Sequence, residues 1–250
     1  MFNYIKQINY IKKFVYIKMS KINLDKLPIY VINLEKSKDR WDKVEKSFKK
    51  EKMDKNLIKF LACDGSILDI DKMRKKKDVK IPVKDRANRP GAIANYLSIM
   101  GVFKDALKKK HKHIILMEDD QTLAKDFKKK LEVCIDQVNK VNKKWDILYL
   151  ASDEVEKRTQ KIDGVDKVRI PFQDEKSKRI YGNNGFLITA KCMRSLLEHS
   201  MPMVEASDHY IIGMGKNPFH KNKAYPGNKH DYYNCFPYLI KSFEANSTID

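Results

Sequence analysis

The chain has 250 residues, 42% hydrophobic and 10% aromatic, which is enough to bury the core of one sizeable α/β domain and excludes global disorder. No stretch approaches the roughly 20 consecutive apolar residues that a membrane-spanning helix needs. The formal net charge is +19, from 52 basic and 33 acidic residues, yet only eight of the basic residues are Arg.

Residues 1–27 stand apart. "MFNYIKQINYIKKFVYIKM" mixes Ile, Tyr, Phe and Lys, contains no acid and lacks the continuous apolar segment and small-residue cleavage site of a signal peptide. It reads as a basic extension preceding a single domain at 28–250, with Met19 an alternative start. Peripheral membrane contact through residues 1–20, as a basic amphipathic helix, is the other reading. "LPIYVINL" (27–34) is a buried strand, and "KSKDRWDKVEKSFKKE" after it is an amphipathic helix with Trp41, Val44 and Phe48 on one face. "IKFLACDGS" is a second strand ending in a turn at Asp64-Gly65. The charged, aperiodic segment 69–90 reads as a long loop, and long loops over a site are often lids.

"GAIANYLSIMGVFKDALKKKHK" carries an apolar stripe through Ile93, Leu97, Met100, Phe103 and Leu107, with lysines at its C-terminal end as the helix dipole favours. "HIILMED" is then a strand, "DFKKKLEVCIDQVNKV" a helix and "WDILYLA" another strand. Alternation of strands and helices predicts a Rossmann-like α/β fold, a mostly parallel sheet flanked by helices. Beyond 151 the pattern is less regular. "YGNNGFLITAKCMRSLLEHS" gives a turn, a strand and a short helix, and the last 40 residues, with Pro218, Pro226, Gly227 and Pro237, read mainly as loops. Cys63, Cys134, Cys192 and Cys235 are far apart with no metal-binding spacing, and read as reduced thiols of a cytoplasmic protein.

In such sheets ligands gather at the carboxyl ends of the strands. Glu118, Asp119 and Asp120 follow one strand directly, with Asn33 and Asp64 at the ends of two others. Three adjacent carboxylates repel one another unless something neutralises them. A hard cation such as Mn²⁺ or Mg²⁺ suits oxygen ligands, and Mg²⁺ completes its shell with phosphate oxygens and water. Residues two apart on a strand share a face, so Glu118 and Asp120 can point together while Asp119 points away. The bland alternative is a set of solvated turn acids paired with lysines.

"VINLEKSKDRW", "FLACDG", "GAIANYLSI", "HIILMEDD", "WDILYLA", "YGNNGFLIT" and "FPYLIKSFEANSTI" occur in one order over about residues 28–250. Together they resemble glycosyltransferase family 25, which includes lipooligosaccharide and collagen hydroxylysine galactosyltransferases. The resemblance implies a GT-A fold with an irregular acceptor-side region. It also implies a UDP-sugar donor, a metal-binding acidic motif, and transfer with inversion to a glycan or protein acceptor. On this chain the metal ligands become Asp120 and Glu118. Asn33, Arg40, Asp64 and Asp119 would line the nucleotide site, with Arg40 pairing a phosphate or stacking on the base. Inversion needs a general base. "EASDHYI" offers Asp208 and His209, of which Asp208 is chosen, with Asp153 in reserve. Taken alone, Arg40 also reads as a helix-surface residue, Asp64 as a turn residue and Asp208 as a helix N-cap.

The resemblance is imperfect. Family members read close to "GEIGCxLSH" where this chain has "GAIANYLSI", so Ala92, Ala94 and Ile99 replace an acid, a glycine and a histidine, while Ser98 is kept. A degenerate, glycan-binding protein is therefore one alternative. A basic nucleic-acid-binding protein is the other, resting on charge alone. Lys, Ile, Asn and Tyr share AT-rich codons, and Arg, the preferred residue for bidentate phosphate contacts, is scarce. No specific nucleic-acid partner is therefore expected.

Overall fold

The computed structural model describes residues 22–151, 159–171, 185–215 and 230–242. The N-terminal segment 1–20 and the reserve base Asp153 lie outside them.

Ile29–Asn33 (β1) is a run of apolar and β-branched residues buried throughout. A strand covered on both faces needs no polar alternation. It pairs in parallel with Leu57–Leu61 (β2) on one side and His113–Glu118 (β3) on the other, with Ile29 opposite both Leu57 and Ile115. The eight-stranded sheet has the order β2-β1-β3-β8-β5-β9-β7-β6. Here β5 is Ile147–Tyr149, β6 Thr159–Ile162, β7 Val165–Pro171, β8 Phe186–Thr189 and β9 Tyr232–Cys235. Six strands run one way, and β8 and β7 run against them. The expected mostly parallel sheet is present, but it is mixed at its centre, where β8 sits antiparallel between β3 and β5. A separate two-stranded ribbon joins Gln121–Leu123 (β4) to Ile240–Ser242 (β10).

Helices cover both faces. Lys38–Lys50 (α1) buries Val44 and Phe48, and Phe127–Val141 (α4) buries Phe127, Leu131, Cys134, Ile135 and Val138. Together with Ile29, Val31, Ile115 and Met117 they form one core, in which Phe48 and Phe127 meet edge-on at 6.2 Å. The opposite core holds Tyr30, Ile32, Ile114 and Leu116 beneath three helices. These are Pro90–Lys108 (α3), Ala190–Glu198 (α5) and Ser207–Gly213 (α6). Pro90 at the first turn of α3 fits a position whose N–H has no helical partner. Alternation along each strand thus assigns one set of side chains to each core. Leu24 and Leu27, within the segment read as an extension, are buried in the α1–α4 core.

Two expectations need correction. Segment 69–90 is not an open lid. Ile70–Lys75 (α2) and a 3₁₀ turn at Arg86–Asn88 order it, Val79 and Ile81 are buried, and the amide of Lys80 donates to the Met203 carbonyl at 2.7 Å. Apolar residues hidden in a charged stretch provide the anchor. The last 40 residues are also not mainly loops where described, since β9 and β10 each enter a sheet. All four cysteines are free thiols. Among the described residues no helix is long and apolar enough to cross a membrane.

Candidate active site

The carboxyl ends of β1, β2 and β3 open on one cleft of about 530 Å³. The apolar run Ile114–Met117 is fully buried and carries the chain to Glu118, after which Asp119 and Asp120 form a tight turn into β4. The two-residue strand period then separates the acids. Glu118 falls on the α3 face, where Asn95 Nδ2 donates to its Oε1 at 2.8 Å. Asp119 falls on the α1 face. It accepts from Asn33 Nδ2 at 2.6 Å and from the Arg40 guanidinium at 3.3 Å. Asp120 accepts from Gln121 Nε2 at 2.6 Å. All three acids line the cleft, together with Lys36, Arg40, Asp64 and Ser66.

Electrostatics follow from this crowding. Burial pushes the Glu118 carboxyl up to about 7, aided by the charges of Asp120, Asp119 and Asp208 and opposed by the Asn95 hydrogen bond. Burial also raises Asp119, although Asn33 and Arg40 pull the other way. Asp64 is held down to about 2 by the backbone N–H and hydroxyl of Ser66, with Lys36 adding its charge. Asp64 is therefore an exposed anion, and its Oδ1 already serves the turn while Lys36 holds Oδ2 at 3.2 Å.

Behind the cleft, Ser98 on α3 accepts from the Cys63 amide at 2.8 Å and donates to the Ala94 carbonyl at 2.7 Å, fixing the exit of β2. Gly65 lies against the start of α3. A Cβ there would stand 2.7 Å from the Pro90 carbonyl carbon and 2.9 Å from the Gly91 nitrogen, so only glycine lets the two backbones meet. Of the three departures in α3, only Ala94 lines the cleft, while Ile99 is packed into the core. The sequence reading missed Asn95, Lys36 and Ser66. Asn95 left one trace, a polar residue between the buried Ala94 and Tyr96.

Asp208 lies in the first turn of α6, whose N-cap is Ala206. Its Oδ1 accepts from the following amide of His209 at 2.8 Å, and its charge reaches both Glu118 and Tyr149. The structure thus brings Arg40, Asp64, Glu118, Asp119 and Asp120 to one cleft, with Asn33 bonded to Asp119 behind it, whereas Asp208 on α6 is not among the residues that line it.

Among the described residues, the one group of three His, Cys, Asp or Glu with ligand atoms mutually within 4.8 Å is Asp146, Cys192 and His230. Its donor set could take a borderline cation such as Zn²⁺. It lies at the opposite edge of the sheet, at the starts of β5 and β9, and so faces away from the cleft. Lys191 already neutralises Asp146 at 3.1 Å, and His230 Nδ1 stands 3.3 Å from the same carboxylate.

The sequence pattern of "Glycosyltransferase family 25 (LPS biosynthesis protein)" matches residues 26–211, most of the chain. The chain belongs to this family. Human procollagen galactosyltransferase 2 is 24% identical over 127 residues, 49% of this chain and 20% of that protein. A glycosyltransferase 25 family member from Aedes aegypti is 24% identical over 218 residues, 83% of this chain and 34% of that one. This family 25 chain therefore matches only about a fifth to a third of the length of these relatives. A crystal structure of a glycosyltransferase involved in the glycosylation of the major capsid of PBCV-1 aligns over 88% of this chain and 94% of its own. Its sequence identity is 7% and its TM-score 0.40.

Proposed function

We propose that the chain transfers a hexose, galactose or glucose, from a UDP-sugar to a hydroxyl of a glycan or protein acceptor, with inversion and with help from a divalent cation. The observation that carries this reading is that Glu118 and Asp120 line one cleft together with Lys36 and Arg40. Galactose comes first because a relative carries the name galactosyltransferase. Glu118 and Asp120 fit Mn²⁺ or Mg²⁺ by donor type and number, since Mg²⁺ usually takes one or two protein carboxylates. Such a cation, when bound, supplies Lewis-acid neutralisation of charge on the leaving diphosphate.

The chain's own residues do the rest. Asn33 and Arg40 clamp Asp119 so that the acidic turn is preorganised. Lys36 and the outward side of the Arg40 fork face the phosphates. Asp208 takes the proton of the acceptor hydroxyl as its oxygen bonds to the anomeric carbon. The bond from that carbon to the diphosphate breaks on the far side, and the electron pair leaves with UDP.

The test is turnover of UDP-galactose and UDP-glucose with Mn²⁺. Asp120→Ala and Asp208→Asn should each lower kcat by about 10²-fold or more, the size of an electrostatic or general-base contribution. Wild-type turnover in Asp120→Ala would remove the proposed cation ligand.

A further inference from the structure

Tyr149 closes β5 and lies in register with Asn234 of the parallel strand β9. The two strands alternate between the cores, and both side chains fall on the α3–α6 face, the same face as Glu118. Tyr149 is 2% exposed and Asn234 1% exposed. Even so, among the described residues the Tyr149 hydroxyl and both the Oδ1 and Nδ2 of Asn234 have no hydrogen-bond partner. Buried polar groups in folded proteins are nearly always paired, so three orphan atoms on adjacent strands call for an absent partner. Burial here is by packing. The rings of Phe186 and Tyr232 hold the Tyr149 ring edge-on at 5.9 and 6.0 Å, which fixes the position of its hydroxyl.

We propose that Tyr149 and Asn234 form a subsite that reads the hydroxyls of the transferred hexose and so sets which epimer of the nucleotide sugar is used. The inference rests on the glycosyltransferase reading above and extends it past the segment matched to the family, since Asn234 lies beyond residue 211. The chemistry matches. A carboxamide offers one donor edge and one acceptor edge, which suits a vicinal diol, and a phenol can both donate and accept. The placement matches too. Tyr149 ends β5 at the carboxyl edge of the sheet, the edge on which β1, β2 and β3 open the cleft, and on the same face as Glu118. Sites that hydrogen-bond a substrate hydroxyl discriminate far more strongly than apolar pockets, because the wrong substrate leaves buried polar atoms unpaired.

Tyr149→Phe and Asn234→Leu test this, measured with UDP-galactose and UDP-glucose and with UDP binding by calorimetry in Mn²⁺. Each variant should keep or raise the Tm, because orphaned polar atoms are removed in Tyr149→Phe and replaced by apolar ones in Asn234→Leu. UDP affinity should stay within about twofold. The kcat/KM for the preferred hexose should fall about 100-fold, and the ratio between the two epimers should shrink by a similar factor. Unchanged kcat/KM and unchanged epimer ratio in both variants, with UDP still bound, would overturn the subsite alone. A wild type that binds no UDP and turns over neither sugar would overturn the glycosyltransferase reading and the subsite with it. Should Asn234→Leu not fold, Tyr149→Phe, which removes one oxygen, decides the matter.

Discussion

Asp119 shows how one residue can carry opposite readings until its face is known. It sits between two acids that line the cleft, yet the strand period turns it towards β1 and α1. There Asn33 and Arg40 satisfy both carboxylate oxygens, and only 11% of its side chain is exposed. Asn33→Ala should leave one of those oxygens unpaired. A buried acceptor stripped of its partner costs about 1–3 kcal/mol. We therefore expect a loss of about 2 kcal/mol in chemical denaturation, together with weaker UDP binding as the acidic turn loosens. A stability equal to wild type would show that Arg40 alone positions the turn. The acidic triplet itself was legible in the sequence, because apolar residues ending in three acids admit few explanations. Asn95 and Ser98 were not, since a polar residue inside an apolar helix stripe looks the same whether it faces a ligand or a neighbouring backbone. Arg40 and Asp64, assigned as nucleotide contacts, both line the cleft, and each also holds a protein partner there.

At the scale of elements, α3 carries the heaviest duty. Its N-terminus abuts Gly65, its middle holds Glu118 through Asn95 and Cys63 through Ser98, and its C-terminal half is tied to β1. That last tie is Asp105, which accepts from the Tyr30 hydroxyl at 2.7 Å and pairs with Lys109 at 2.7 Å. Partial burial alone would raise Asp105, but the bonds from Lys109 and Tyr30 outweigh it and hold the carboxyl below its usual range. A carboxylate that is more acidic when folded adds stability above the unfolded value, near pH 4, and loses it as the pH falls through the folded value. Asp105→Asn should thus cost about 1 kcal/mol at pH 7, a figure discounted for partial solvent screening. The gap from wild type should close below pH 4 in acid-unfolding curves, and a gap constant from pH 7 to pH 2 would assign the effect to packing. The β1–α1–β2 and α3–β3–α4–β5 run was readable because each element had a clean period. The hairpin β6–β7 and the ribbon β4–β10 were not. β4, β6 and β10 are only three or four residues long, too short to show a period, and β4 pairs with a strand far along the chain rather than through local pattern.

The described residues form a sheet between two apolar layers, and the cleft opens where the parallel strands β1, β2 and β3 end on the same side. In one recess the +19 charge can be seen to be mixed rather than of one sign. In the recess beside α1, Lys43, Lys46, Lys50 and Lys125 are interleaved with Glu51 and Asp126. What the sandwich does impose is a rule about energetic coupling. Ile114 and Ile115 are neighbours in sequence but belong to different cores, whereas Ile114 and Ile188 are cross-strand partners within one core. Substitution of a buried Ile by Val costs about 0.5–1.5 kcal/mol through the lost methylene and the small void it leaves. Side chains with no shared neighbours add within about 0.5 kcal/mol, while side chains in contact share one void and depart from additivity by about that much or more. Ile114→Val with Ile115→Val should therefore cost the sum of the two single changes. Ile114→Val with Ile188→Val should not, even though its members are 74 residues apart in the chain. Denaturation of the three single and two double variants against wild type measures both cycles. Coupling in the adjacent pair and additivity in the cross-strand pair would mean that β3 does not divide the two cores, and the alternation that aims Glu118 and Asp119 in opposite directions would lose its basis.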